Sequence, residues 1–429
     1  MSSIVTNEFR VQNAQNFISD VKLNNYYIAI GKIDDWQTSS RTPLNTRETQ
    51  IYNWNSMIGG KKILDNRISL VIPRIDWTMG TIYSMYDDTN DELDTSSFYV
   101  LTDESNVYKC LDNNNGAAST VKPTGTNISN IILSDGYIWK FMYKISIEES
   151  NNFVTNNFIP VKTLLEGDDS YQWAVQSNAI DGNIEVIKVT NGGVGYQSTP
   201  EIVITGNGVG ATAVATIEDG IVTKIQVTDA GSGYTYAKVE IIGDCTQQAT
   251  AHAIMSPNGG HGSDPANELF GRHVMLGATL NGSEDEQIPV TNDFRIITIV
   301  RDPTFTGDPE YTEDFNIPTV FNQLTRVTLA TGYTGELNLD DIVTGLSSGA
   351  TGKIANFDTT NNIISLCNVI GEFTPNESIE TSSGGVTVIG DITPPDFIAN
   401  TGSIIYCDYR NPISRATDQE ENIRVTLEF

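Results

Sequence analysis

The sequence predicts a mainly β fold, of the β-rich α+β class, with few short helices. Three observations carry that expectation. Period-two alternation of apolar and polar residues recurs along the chain, turn residues punctuate it at short intervals, and two tandem repeats are of strand-and-turn character.

The clearest strand is "SDGYIWKFMYKIS", from Ser134 to Ser146. Successive strand residues point to opposite faces, so Tyr137, Trp139, Phe141, Tyr143 and Ile145 share one side and Ile138, Lys140, Met142 and Lys144 the other. Asp135-Gly136, which follows the apolar "NIILS", reads as a hairpin turn because both residues tolerate positive φ. Burying one such side chain contributes roughly 1.5–3 kcal/mol, so five supply on the order of 10 kcal/mol. That favours a core strand over an exposed docking ridge. The final "ENIRVTLEF" alternates as cleanly, with Ile423, Val425, Leu427 and Phe429 opposite Arg424, Thr426 and Glu428.

Helix signals are confined to two stretches. "TNEFRVQNAQNFISDV" places Phe9, Phe17 and Val21 on one side after Thr6 or Asn7 as N-cap. "ETQIYNWNSMIGGKKI" predicts a second helix stopped by Gly59-Gly60.

The first repeat starts at Gly182 and Gly220, an offset of 38 (220 minus 182), and aligns Gly195-Tyr196 with Gly233-Tyr234. Each unit reads as three short strands with a Gly-rich turn ending in a Tyr that caps a small sheet. The second starts at Gly335 and Gly371, an offset of 36 (371 minus 335). Two short units cannot form a solenoid but can pair into a small barrel or sandwich. The organisation expected is a main body over 1–181, 257–326 and 395–429, with inserted β modules at 182–256 and 327–394.

At 429 residues, the chain carries 25 Lys+Arg against 54 Asp+Glu, a net charge of -29. That field repels phosphate backbones and anionic lipid, so neither nucleic acid nor a membrane surface is an expected partner. No apolar run approaches the roughly 18 residues that span a bilayer, and the N-terminus has no secretory pattern. Cys110, Cys245, Cys367 and Cys407 lack CxxC spacing and read as free thiols rather than zinc ligands or a disulfide framework.

Several motifs invite a chemical reading and lose it. Gly345 to Gly349, "GLSSG", matches a nucleophile elbow, but no helix follows and its repeat counterpart at Thr381 to Gly385 is a plain Ser/Gly turn. Gly206, Gly208 and Gly210 hint at a phosphate loop without the βαβ unit such a loop needs. His261, in "SPNGGHGSDPANELFG", lies near Asp264 but shows no second metal ligand at usable spacing, so a loop fixed by a His–backbone hydrogen bond is expected. The acidic "YDDTNDELD" (Tyr86 to Asp94) lacks the glycine and the last ligand of a calcium loop and reads as solvated. No catalytic residue, metal or cofactor is expected.

In one order along the chain stand "IVTNEFR" at Ile4, "YIAIGKIDDW" at Tyr27, "NWNSMIGGKKILDNRISLVIPRIDW" at Asn53, "VYKCLDN" at Val107 and "DGYIWKFMYKI" at Asp135, then the ending "GSIIYCDYRNPISRATDQEENIRVTLEF" from Gly402. This order resembles the gene-product-eight baseplate wedge subunits of T-even-type contractile-tailed phages. The resemblance covers about the first 165 residues and the last 30, with a thin match at Arg295 to Pro303; the repeat modules depart from it. The Gly-Tyr modules look similar to those in structural proteins of phages that infect cyanobacteria. The residues carrying the resemblance are Trp36, Trp54, Pro73, Arg74, Asp76, Trp77, Gly136, Tyr137, Trp139, Tyr406, Arg410 and Pro412.

The resemblance implies a central domain with inserted β-sandwich domains and a non-enzymatic homodimer set among neighbouring wedge subunits. It places the protein in the tail baseplate of the virion, after assembly in the host cytoplasm. An alternative is that the repeats bind a host-surface glycan, with Tyr196, Tyr234 and Tyr236 as stacking residues. A depolymerising hydrolase needs a paired-carboxylate cleft that the sequence does not place.

Overall fold

The computed structural model describes residues 4–32, 42–290, 292–307, 319–330 and 334–429. Among them strands dominate and five short-to-medium α-helices occur, which is the mainly β class expected. The chain divides into two compact units, residues 1–16, 69–275 and 427–429 in one and 17–68 and 276–426 in the other, each carrying one repeat module.

The first unit is built on a four-stranded antiparallel sheet in the order Tyr99–Leu101, Asn106–Asp112, Ile138–Lys144, Ile131–Ile132. Gly136 turns the last hairpin at φ 85°, where an L side chain is strained. Asp135 holds that turn, its carboxylate accepting from Tyr137 N at 3.2 Å, Thr120 N at 2.8 Å and Val121 N at 3.0 Å. The aromatic ridge is core: Tyr137, Trp139, Phe141, Tyr143 and Ile145 are all buried. Tyr137 stacks on Trp139 with centroids 5.6 Å apart, and Tyr108 meets Phe141 edge-on at 5.8 Å. Tyr hydroxyls at the margin stay satisfied, Tyr137 donating to Ala117 O at 2.6 Å and Tyr143 to Pro160 O at 2.8 Å.

The 38-residue repeat forms three strands per unit, and the units interlock rather than lie side by side. Ile184–Asn191 of the first unit pairs with Thr250–Met255 of the second, Thr212–Glu218 with Ile221–Asp229, and the middle strands Glu201–Gly206 and Ala237–Ile242 pair with each other. Shifting both members of Ile187↔Ala253 by 38 in opposite directions gives Ile225↔Ala215, which is also a pair. The module therefore has an internal pseudo-twofold. Tyr196 Oη accepts from Ala249 N at 2.8 Å, and Tyr234 Oη accepts from Ala211 N at 3.3 Å, each tyrosine reaching into the other unit. Gly208 makes room for this: a Cβ there would lie 2.4 Å from the Tyr234 ring, so the glycines serve the fold rather than a phosphate.

In the second unit a five-stranded sheet runs Val320–Asn322, Met57–Lys62, Tyr26–Gly31, Asp293–Arg301, Ser403–Ser414. The residues of Tyr26–Gly31 are all buried. Here two helix expectations are corrected. The second helix, Arg47–Ser56, is capped by Thr46 and ends before the glycines, which lie inside the next strand. A Cβ on Gly60 would stand 2.3 Å from Ile28 O and one on Gly59 2.5 Å from Phe321 O, so close strand approach and not helix termination requires them. On the first helix, Asn7–Leu23, Phe9 is exposed and the buried face is Val11, Ala14 and Val21; Thr6 Oγ1 caps it through Phe9 N.

The 36-residue repeat closes a six-stranded barrel in the order Thr325–Leu329, Ile363–Ile370, Thr351–Asp358, Ile342–Gly345, Ser378–Thr381, Val386–Thr393. Its core is aliphatic, from Val327, Val343, Ile354, Ile364, Ile379 and Ile389. The same reciprocity recurs. Glu377 accepts from Ser347 N at 3.2 Å and from Ser348 N and Oγ at 2.9 Å, while Asp341, its equivalent in the other unit, accepts from Ser382 and Ser383 hydroxyls at 2.9 and 2.7 Å. The "GLSSG" segment is thus a turn, its Ser348 hydroxyl committed to a carboxylate. Lys32, buried, anchors the barrel by reaching Asp340 at 2.7 Å and Asn292 at 2.7 Å.

The pseudo-twofold predicts equal costs at its two tyrosines. Tyr196→Phe and Tyr234→Phe each strand a backbone N–H, and each should lower stability in urea unfolding by about 1–2 kcal/mol, whereas Tyr236→Phe should change it by a few tenths or less. A second expectation concerns acid. Burial raises the Glu377 carboxyl, but hydrogen bonds from Thr374, Ser348 and Ser347 outweigh it and hold it below the ordinary range. A depressed folded value means the stabilisation is full above the unfolded carboxylate range near about 4.3 and is lost as pH falls through the folded value. The stability gap between wild type and Glu377→Gln should therefore be constant from pH 7 to 5 and shrink toward pH 3 in urea titrations.

Candidate functional site: a buried ion pair beneath an acidic cleft

The face of the central sheet opposite the aromatic ridge buries two cations. Lys109 and Lys140 are cross-strand neighbours there. Lys140 Nζ donates to Ile128 O at 2.7 Å. Lys109 Nζ, wholly removed from water, donates to Glu268 Oε2 at 2.7 Å and lies 4.1 Å over the Tyr86 ring. Glu268, in the short helix Pro265–Glu268, spends its other oxygen on Gly262 N at 2.8 Å and Asp264 N at 3.1 Å. Burial lowers the Lys109 pKa and the Glu268 charge opposes that shift.

His261 packs edge-on to Tyr86 at 4.9 Å and is buried. Burial, reinforced by the charges of Lys109 and Lys140, pushes its pKa well below the ordinary value, so the ring is neutral at pH 7. Its Nδ1 has no hydrogen-bond partner. The backbone-bonded histidine expected from sequence is thus replaced by an aromatic contact. Asp264 is a helix cap, accepting from Asn267 N at 3.2 Å and from the Thr163 hydroxyl.

Outside this pair lies a cleft of about 410 Å³ whose lining includes Glu8, Asp87, Asp88, Asp91, Asp264 and Glu268 and has no lysine or arginine. Asp94, also on its wall, is met from behind by Arg272 at 2.5 Å. The acidic stretch Tyr86 to Asp94 is therefore only partly solvated: Tyr86 is core and Asp94 is paired. One group of metal-competent side chains is found among the described residues, Asp87, Asp88 and His252.

The residues carrying the family resemblance are mostly scaffold. Arg74 Nε clasps Asp76 at 3.0 and 3.1 Å while Arg74 Nη1 donates to Thr155 O at 3.1 Å, and Trp77 Nε1 donates to Ser119 Oγ at 3.1 Å. Pro73 ends a strand paired with Phe158–Val161. Trp54 is buried beside Tyr27 and Met57. Tyr406, Arg410 and Pro412 lie on the outer strand Ser403–Ser414, where a proline is tolerated, and Arg410 pairs with Asp408 at 2.6 Å. Trp36 lies outside the described residues.

Of the three tyrosines proposed to stack on a glycan, Tyr196 and Tyr234 are 3% and 5% exposed and belong to the module core. Their ring faces are spent on packing, which corrects the stacking expectation for both; Tyr236 alone is open, at 63%. Lys109, Glu268 and His252 were not singled out from sequence. A lysine inside the apolar "VYKCL" run was the available signal for the first.

No family model matches the sequence. A curated protein does: the baseplate wedge protein gp8 of Enterobacteria phage T4, 25% identical over 219 residues, which span 41% of this chain and 66% of that relative. The chain is similar to a baseplate wedge protein. It spans just under two thirds of that relative's length.

The buried pair predicts a non-additive double-mutant cycle. Lys109→Met should cost about 3–5 kcal/mol by leaving Glu268 charged and uncompensated. Adding Glu268→Gln should recover about 1–3 kcal/mol of that loss, read from urea midpoints of the four proteins.

Proposed function

We propose that this chain is a structural component of the baseplate wedge of a contractile phage tail, holding protein–protein contacts during assembly and during the shape change on infection. The observation that carries this reading is the similarity to the T4 wedge protein. The scaffold supports it: aromatic and polar residues that carry the resemblance, such as Tyr137, Trp139 and Trp77, make core and turn contacts. In this reading the protein acts as a homodimer beside neighbouring wedge subunits, assembles in the host cytoplasm and resides in the virion baseplate. A net charge of -29 keeps such a part soluble and away from the packaged nucleic acid. Wedges that rearrange favour several modest interfaces over one very large one.

The test is to quantify the chain by mass spectrometry in purified virions, detached tails and isolated baseplates, with light scattering on the free protein. The expected result is constant enrichment with baseplates, in multiples of two per wedge, and a dimeric free protein. Enrichment in fibres or in lysate alone would overturn the reading.

A further inference from the structure

His252 stands 164 residues beyond Asp88 in sequence (252 minus 88), yet the last strand of the tandem module, Thr250–Met255, carries it to the Asp87–Asp88 loop within the same compact unit. One ligand atom from each of Asp87, Asp88 and His252 lies within 4.8 Å of the other two. His252 Nε2 is 3.7 Å from Asp88 Oδ1, beyond hydrogen-bond reach, and that nitrogen is buried without a hydrogen-bond partner. The nitrogen itself is out of contact with water and faces the Asp88 carboxylate, while the His252 side chain as a whole is 39% exposed.

We propose that Asp87, Asp88 and His252 form a site for a divalent transition-metal ion of the zinc type. An ion about 2.0–2.2 Å from both His252 Nε2 and Asp88 Oδ1 bridges their 3.7 Å gap with a ligand angle of about 115–135°, wider than the tetrahedral preference of zinc but within its reach. The imidazole favours such an ion over calcium and magnesium, which prefer oxygen shells. The surroundings already orient the donors. Asp87 Oδ1 accepts from Thr89 Oγ1 at 2.6 Å and Thr89 N at 3.1 Å, and Asp88 Oδ1 accepts from Met255 N at 3.3 Å.

Lys188, the cross-strand neighbour of His252, stands 3.6 Å from Asp87 Oδ2 and competes for that carboxylate. Two carboxylates against one lysine leave a net charge of -1, which favours a cation. A bound ion would clasp the module's last strand to the Asp87–Asp88 loop, and three protein donors leave one position for water. The proposal does not depend on the wedge assignment.

The experiment uses the full-length chain, stripped with chelator and titrated with zinc by calorimetry, with metal content read by mass spectrometry after dialysis. The expected result is about one zinc per chain, lost in His252→Ala and weakened at least tenfold in Asp88→Asn. Lys188→Met, which removes the competing cation, should tighten binding several-fold. Wild-type protein that retains no zinc overturns the proposal. So does a His252→Ala protein that keeps wild-type stoichiometry, which would point to the thiols. Should His252→Ala fail to fold, Lys188→Met decides: unchanged or weaker binding is equally fatal.

Discussion

The first unit depends on the buried ion pair of Lys109 with Glu268. A lone ammonium in the middle of a sheet costs several kcal/mol in lost hydration, so the chain has to deliver a carboxylate to it. The segment after the tandem module does this. Gly259, Gly260 and Gly262 all take positive φ, and a Cβ on Gly260 or Gly262 would lie 2.4 Å from Ile180 O or 2.5 Å from Val175. Only such a segment passes closely enough for Gly262 N and Asp264 N to fix one Glu268 oxygen while Lys109 takes the other. Tyr86 lies over the ammonium, His261 packs edge-on against Tyr86, and Tyr86 and Glu268 both line the acidic cleft.

Both repeat modules solve one problem in the same way. A three-stranded unit of about 36–38 residues exposes two edges and too little core to stand alone. Exchange of strands between two units pairs those edges internally. In the tandem module this gives paired middle strands and tyrosines that cross between units; in the barrel it gives full closure, with Asp341 and Glu377 each tying down the opposite serine turn. Duplication supplies the second half of each core and, in the barrel, the partner for every edge strand.

This arrangement separates roles within the chain. The stretches that resemble the wedge family build sheets and turns, through contacts such as Arg74 with Asp76 and Trp77 with Ser119. The modules attach through polar contacts instead: Lys188 stands 3.6 Å from Asp87, Lys224 3.9 Å from Asp112, and Lys32 reaches Asp340 at 2.7 Å. The pairs of Lys188 and Lys224 are partly exposed and of a kind that contributes little each, whereas Lys32 is buried.

The sequence by itself determined the mainly β class, both repeats and their offsets, the Asp135-Gly136 hairpin, and the burial of the aromatic ridge. These are local properties: side-chain period, turn residues and self-similarity are all read within a few residues or by comparing one stretch with another. It misjudged Gly59-Gly60 because a glycine that ends a helix and one that admits a neighbouring strand look alike until Ile28 and Phe321 are in place. It offered Tyr196 and Tyr234 as surface residues because a turn tyrosine gives no sign of which way it faces; the interlocked strands turned both inward. The joining of Lys109 to Glu268 across 159 residues, and of Asp88 to His252, was decided by tertiary structure alone. Charge pairing across such distances leaves no periodicity in the chain, and only the pleat of the sheet and the path of the loop bring the partners together.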